Sequence, residues 1–143
     1  MKGFFKPKNP KKYKGDVTAI CYRSSYELKL MIELDRLPDI IEWQSEEYSI
    51  QYRSPIDNKI HRYYPDFHVK KRLPNGQIEN IVIEVKPANQ VKEPVKSKKI
   101  TKGYIREVMT YGVNQAKWEA AKKYCASRGW KFLIFSEKEL GIK

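Results

Sequence analysis

Apolar positions recur at three- and four-residue intervals through "RSSYELKLMIELDRL", residues 23–37, where Leu30, Met31, Leu34 and Leu37 share one side. That period predicts a helix. Ser24 stands as its N-cap with Glu27 three residues on, a capping-box spacing, and Pro38 helps to end it. Beyond Pro38 the period shortens to two. "IIEWQ" at 40–44 and "EYSIQY" at 47–52 read as strands, the second alternating Tyr48, Ile50 and Tyr52, before a turn region with Ser54, Pro55, Asp57 and Asn58. A further strand is expected over roughly 60–71. Next comes "LPNGQ", whose Asn75-Gly76 pair accepts the positive φ of a hairpin turn, and then the strand "IENIVIEVK" at 78–86. A long helix is predicted from Val113 to Arg128 with Gly129 as its stop. "WKFLIF" at 130–135 reads as the last strand, and "SEKEL" at 136–140 starts a short helix with a second capping-box pattern.

The order α-β-β-β-α-β predicts an α/β fold, a mixed central sheet flanked by helices. At 143 residues the chain supports one domain with a real core. Two stretches fall outside the periodic pattern. Residues 1–16 carry six lysines and no acid before Asp16, with prolines and glycines that break any period, so they are expected to form a flexible basic arm on a domain spanning 17–143. Residues 88–103 hold five lysines against one glutamate and are expected to form a mobile basic loop.

Charge narrows the partners. Lys and Arg number 29 against 17 Asp and Glu, giving a formal net charge of +12 and a pI near 9.6. Nucleic acid is the first polyanion this fits, because phosphates repeat along the backbone and each basic contact releases a counterion. A membrane surface fits less well, since no basic amphipathic helix stands out. No run is long enough to span a bilayer, and the basic N-terminus lacks the apolar core of a signal peptide. The expected location is a cytoplasm. Cys21 and Cys125 are far apart and match no zinc spacing, so they read as reduced, buried bystanders.

The chemistry gathers around the predicted hairpin. Residues two apart in a strand share a face. Glu84 and Lys86 therefore point one way, with Ile81, Ile83 and Val85 packing on the other. On the preceding strand Phe67 and Val69 build the core face, and Asp66 and His68 the opposite one. Antiparallel pairing across the Asn-Gly turn brings Asp66 beside Glu84, with Lys86 next to them. Two adjacent carboxylates repel unless a proton or cation neutralises them, and a hard divalent ion such as Mg²⁺ is the usual solution. A lysine beside such a site activates water or supports charge developing on a phosphate. The plainer alternative is a cross-strand salt-bridge patch on a solvent-facing sheet, since an acid-x-Lys pair is common. The position of the pair at the end of a strongly apolar strand, one hairpin after Pro65-Asp66, favours the site. Glu27 has two readings, a capping acid that answers Ser24 or a third acid turned toward the cluster. Lone strand histidines such as His61 and His68 are usually surface or hydrogen-bonded residues, with His68 a candidate DNA contact. Lys11 and Lys12 of the arm, and Lys98 and Lys99 of the loop, are expected to grip backbone phosphates with little base reading.

The segments "PDF" at 65–67, "IEVK" at 83–86 and "RSSYELKLM" at 23–31 resemble the PD-(D/E)xK nuclease superfamily, which has a restriction-endonuclease-like core. More narrowly, the chain resembles the head-completion nucleases of large tailed phages and the related endonuclease subunit of heteromeric transposases. The likeness runs from about Tyr22 to Phe135 and includes "NQAKW" at 114–118. It implies that Asp66 and Glu84 are metal ligands, that Glu27 completes the cluster and that Lys86 is catalytic. It also implies a polar contribution from Gln115 or Lys117, although Lys117 reads equally as an exposed helix lysine. The implied activity is a Mg²⁺-dependent DNA endonuclease, with Mn²⁺ substituting. It would trim DNA during phage head completion, with head, portal or neck proteins as partners, in the host cytoplasm or the virion. The alternative is a non-catalytic DNA-binding or head-assembly protein on the same fold. A transposase subunit shares the chemistry, and the expectation that the chain stops after the nuclease core argues against it.

Overall fold

The computed structural model describes residues 2–96 and 99–142. In chain order the elements are β1 (Gly3–Phe4), a 3-10 turn (Pro10–Lys12), β2 (Cys21–Tyr22), α1 (Ser25–Arg36), β3 (Ile40–Gln44), β4 (Ile50–Arg53) and β5 (Ile60–Tyr63). They continue with β6 (Phe67–Arg72), β7 (Ile78–Val85), α2 (Ala88–Val91), α3 (Lys102–Ala126), β8 (Lys131–Phe135) and α4 (Glu137–Leu140). The central sheet has four strands in the order β3-β6-β7-β8. β6 lies antiparallel to both β3 and β7, whereas β8 is parallel to β7, so the sheet is mixed. The parallel pair follows from the long crossover through α3, which returns the chain in the direction a tight turn would reverse.

Each face of this sheet has its own helix. Phe67, Val69, Ile81, Ile83 and Val85 pack with Leu30, Met31 and Leu34 of α1 and with Trp43 of β3. Met31 is fully buried, so truncation to alanine would cost about 2–5 kcal/mol through the void it leaves. Trp118 and Ala121 of α3 form a second cluster with Ile50, Tyr52 and Tyr63, carried by the separate β4–β5 hairpin. The hairpin thus sits beside the α3 face of the sheet and supplies Tyr63 there. No helix among the described residues is long and apolar enough to cross a membrane.

Local signals behave as their chemistry dictates. Ser24 Oγ accepts from the Glu27 N–H at 3.1 Å and starts α1. Gly76 takes φ +84° in the turn between β6 and β7, which Gly adopts without a Cβ penalty. Ser136 and Glu139 complete the capping box of α4.

Three expectations are corrected. The strand over 60–71 is two strands, broken at Tyr64-Pro65-Asp66, because Pro65 has no N–H to continue a ladder. At that break the chain leaves β4 and joins β3 and β7. The long helix begins at Lys102 rather than Val113, since Thr101 Oγ1 caps it from the Tyr104 N–H at 3.0 Å. The basic loop is correspondingly shorter, and Ala88–Val91 within it is helical.

Residues 2–16 are not a flexible arm. β1 pairs antiparallel with β2, and the Phe5 N–H donates to the Ile20 carbonyl at 2.7 Å. The buried Asp35 carboxylate at the end of α1 accepts from the backbone N–H groups of Lys8 and Asn9, both at 2.9 Å. The Lys12 ammonium donates to the carbonyls of Asp35 at 2.9 Å and Leu37 at 2.8 Å, satisfying acceptors that a helix end leaves open. Tyr13 sets its ring edge-on to Trp43, with centroids 4.7 Å apart. A buried carboxylate needs donors, and this basic segment supplies them.

Candidate active site

Asp66 and Glu84 meet at the point where β6 begins beside the end of β7. Phe67 pairs with Ile83, so one step further the register sets Asp66 opposite Glu84. The Val85 N–H donates to Asp66 Oδ2 at 2.8 Å, which turns the carboxyl onto β7. Glu84 is buried on the α3 side, and the Tyr63 hydroxyl donates to its Oε2. Burial, and then the charge of Glu84 beside it, hold the Asp66 carboxyl well above the usual carboxylate range, with a hydrogen bond shared between the two side chains. The Val85 N–H works against that rise. Without a cation, burial and the neighbouring Glu84 thus favour the protonated form of Asp66. Burial and the neighbouring Glu84 also push the Tyr63 phenol far up, so it remains a donor.

This donor set suits a hard divalent ion. A half-buried carboxyl held beside a buried one is repelled by it when both are charged, and a cation would relieve that repulsion. Glu27 stands apart from the pair. Its carboxylate accepts from Ser24 Oγ at 3.2 Å and from the Arg23 N–H at 3.4 Å, so it answers the cap. Burial raises its pKa, with Glu46 adding to the rise, and its charge in turn reaches Asp66. Among the described residues no three His, Cys, Asp or Glu side chains are gathered closely enough to hold a metal. Glu27 is thus an electrostatic neighbour of Asp66 in the capping conformation, not a third member of one cluster.

Lys86 follows directly on β7, where its backbone N–H donates to the Phe135 carbonyl at 3.0 Å. Its ammonium makes no hydrogen bond or ion pair among the described residues. Lys117 on α3 lies 5.8 Å from the centroid of the Tyr63 ring and 5.9 Å from that of Tyr52, so it joins the site through the phenol that holds Glu84. Gln115 is exposed on the same helix.

His68 is corrected as a DNA contact. It is buried, with Nδ1 2.8 Å from the Tyr48 hydroxyl, Nε2 2.8 Å from Asn80 Oδ1 and its ring edge-on to Trp130. Both ring nitrogens are committed to the fold. Lys12 is likewise engaged with α1, while Lys11 and Lys99 are exposed and Lys98 lies outside the described residues. Sequence reasoning missed Tyr63 and the Val85 N–H. A signal for the first existed, because a tyrosine among buried residues needs a partner for its hydroxyl.

Comparison with known proteins bears on the same region. Residues 37–137, which include Asp66, Glu84, Lys86 and Lys117, match the family described as TnsA-like endonuclease N terminal. The chain is also 38% identical to the "Head completion nuclease" of Enterobacteria phage T4 over 148 residues, covering 99% of this chain and 96% of that protein.

Proposed function

Because the chain belongs to the TnsA-like endonuclease N-terminal family, we propose that it is a divalent-metal-dependent endonuclease that hydrolyses DNA phosphodiester bonds. The observation that carries this reading is the Asp66–Glu84 pair, a half-buried carboxyl held beside a buried one at the central strands of a strongly basic fold. Asp66 and Glu84 would hold Mg²⁺, with Mn²⁺ as a substitute. When bound, the ion supplies positive charge that polarises the scissile phosphate and favours ionisation of water.

The remaining roles belong to the chain. The Val85 N–H and the Tyr63 hydroxyl keep the two carboxylates in place, as partners of ligating groups do. Lys86 Nζ, which has no protein partner among the described residues, donates to the phosphate oxygen that gains charge as water attacks. Glu27 adds negative field at Asp66 and so strengthens the site's preference for a cation. Lys117 and the surrounding positive charge hold the DNA backbone with little regard for base sequence. In a restriction-endonuclease-like setting these parts serve a reaction at the duplex surface.

The name of the phage T4 relative suggests the biological step. DNA at a filled phage head would be trimmed before the tail joins, with head, portal or neck proteins as partners, in the host cytoplasm or on the virion. One observation favours the competing reading of a non-catalytic DNA-binding or head-assembly protein, namely that Glu27 does not join the acids in a three-ligand group. Incubation of the purified protein with supercoiled, linear and branched DNA, with Mg²⁺ or Mn²⁺ and with a chelator as control, decides between them. Cation-dependent cutting that Asp66→Ala abolishes supports the nuclease. DNA binding without cutting on any substrate supports the competitor.

A further inference from the structure

A cavity of about 640 Å³ opens between α2 and the N-terminal half of α3, within the roughly 300–1,000 Å³ usual for small-ligand sites. Its lining lies close in sequence to candidate site residues on both elements. Asn89 and Gln90 follow Lys86 by three and four residues, and Asn114 precedes Lys117 by one helical turn. Asn114 is the unusual member. It is only 6% exposed, yet its carboxamide makes no hydrogen bond among the described residues and lines the cavity. Its amide atoms are not sealed from the cavity, the one buried unpaired side-chain polar atom among the described residues being Trp43 Nε1, so a ligand can meet them without displacing a protein partner.

The lining has a definite chemistry. Three carboxamides, Asn89, Gln90 and Asn114, offer a donor and an acceptor side by side, the pattern that complements the edge of a nucleobase. Tyr111 supplies an aromatic face and Thr110 a hydroxyl. Arg106 and Lys92 provide positive charge for a phosphate, whereas Glu107 repels a phosphate and accepts from an exocyclic amine. An inorganic anion would leave the amides unanswered. A base inside the cavity with its phosphate near Arg106 answers every group.

We propose that this cavity receives one unpaired nucleotide of the DNA substrate, so that the protein prefers duplex ends or junctions bearing a single-stranded segment over uninterrupted duplex. The preference has an energetic origin. A paired base presents no free pairing edge, and removing it from a duplex costs a few kcal/mol, whereas an unpaired base arrives ready to bind. The inference rests on the nuclease reading for its substrate class and names the DNA structure that reading leaves open.

The test is equilibrium binding in chelator, where no cutting occurs, to three fluorescent DNAs: a blunt duplex, the same duplex with a short single-stranded extension, and that extension made of abasic nucleotides. Wild type should bind the normal extension roughly tenfold more tightly than the blunt duplex, the order of one stacked and hydrogen-bonded base. The abasic extension should lose that gain although its phosphates remain. Asn114→Ala should bring the extended DNA to the blunt-duplex value, and Gln90→Ala, on exposed α2, should lower the gain in a protein whose core is untouched. Equal affinity for blunt and extended DNA, or equal affinity for normal and abasic extensions, overturns the proposal. So does an unaltered preference in both variants. These outcomes are separable from failure of the nuclease reading, which would appear as absence of cutting with cation present while the base preference survives.

Discussion

The Val85 N–H donates a 2.8 Å hydrogen bond to the Asp66 carboxylate, tying the acid that follows Pro65 to the strand that carries Glu84. Because Asp66 lies in the break between β5 and β6, no ladder bond of its own fixes it. The Val85 contact takes that place and holds the Asp66 carboxyl beside Glu84. The repulsion that would follow ionisation of both groups is what the proposed cation would relieve.

Tyr63 completes the arrangement from the other side. Tyr63→Phe keeps the ring under Lys117 and removes only the hydroxyl that holds Glu84. Loss of a partner that orients a ligating carboxylate typically lowers metal affinity or activity about 10–100-fold. Mn²⁺ titration by calorimetry and the cutting rate should both fall by that order while the circular dichroism spectrum stays the same. Undiminished Mn²⁺ affinity would show that Tyr63 does not position the ligand.

The N-terminal segment should matter for stability. Asp35→Ala leaves the N–H groups of Lys8 and Asn9 without their acceptor, at a cost of about 1–3 kcal/mol for each group left unsatisfied. Urea unfolding should shift to lower midpoint, and trypsin should cleave at the lysines between residues 2 and 14 faster than in wild type. Unchanged proteolysis there would contradict the anchoring described for this segment.

His68 predicts a pH effect with a definite sign. Burial lowers its pKa below the ordinary histidine value, Asn80 opposing and Lys70 adding to the fall. As pH drops through about 6.5 the unfolded chain takes up a proton that the folded one refuses. The stability His68 contributes is therefore complete above that value and is lost as pH falls toward the folded pKa. Between pH 7.5 and 5 the unfolding free energy of wild type should fall more steeply than that of His68→Gln, and the salt dependence of DNA binding should be the same in both. Parallel stability curves, or a weaker salt slope in the variant, would contradict a buried neutral His68.

Much of the site was legible because its determinants are local. Asn75-Gly76 fixed a hairpin, alternation assigned each residue a face, and together they set Asp66 opposite Glu84 without knowledge of the rest of the fold. Tyr63 was not legible as a site residue because the chain changes partners at Pro65, so strand periodicity does not run from Tyr63 to Asp66. The N-terminal segment misled for a related reason. Its anchor is Asp35, more than twenty residues away, and the groups it anchors are backbone N–H groups that no side-chain pattern displays. The first half of α3 exposes Ile105, Val108 and Met109, so it lacks the one-sided apolar stripe that marked residues 113–128. Glu27 takes the capping reading, its carboxylate on Ser24 and the Arg23 N–H, while only its charge reaches Asp66.

The central claim is that Asp66 and Glu84 hold a cation while Lys86 serves the reaction from beside them. Single-turnover cutting of plasmid DNA by wild type and Lys86→Ala, with Mn²⁺ binding measured on the same samples, tests it most directly. The account predicts that Lys86→Ala binds Mn²⁺ as wild type does and cuts slower by roughly a hundredfold or more. Equal cutting rates in the two proteins would contradict it.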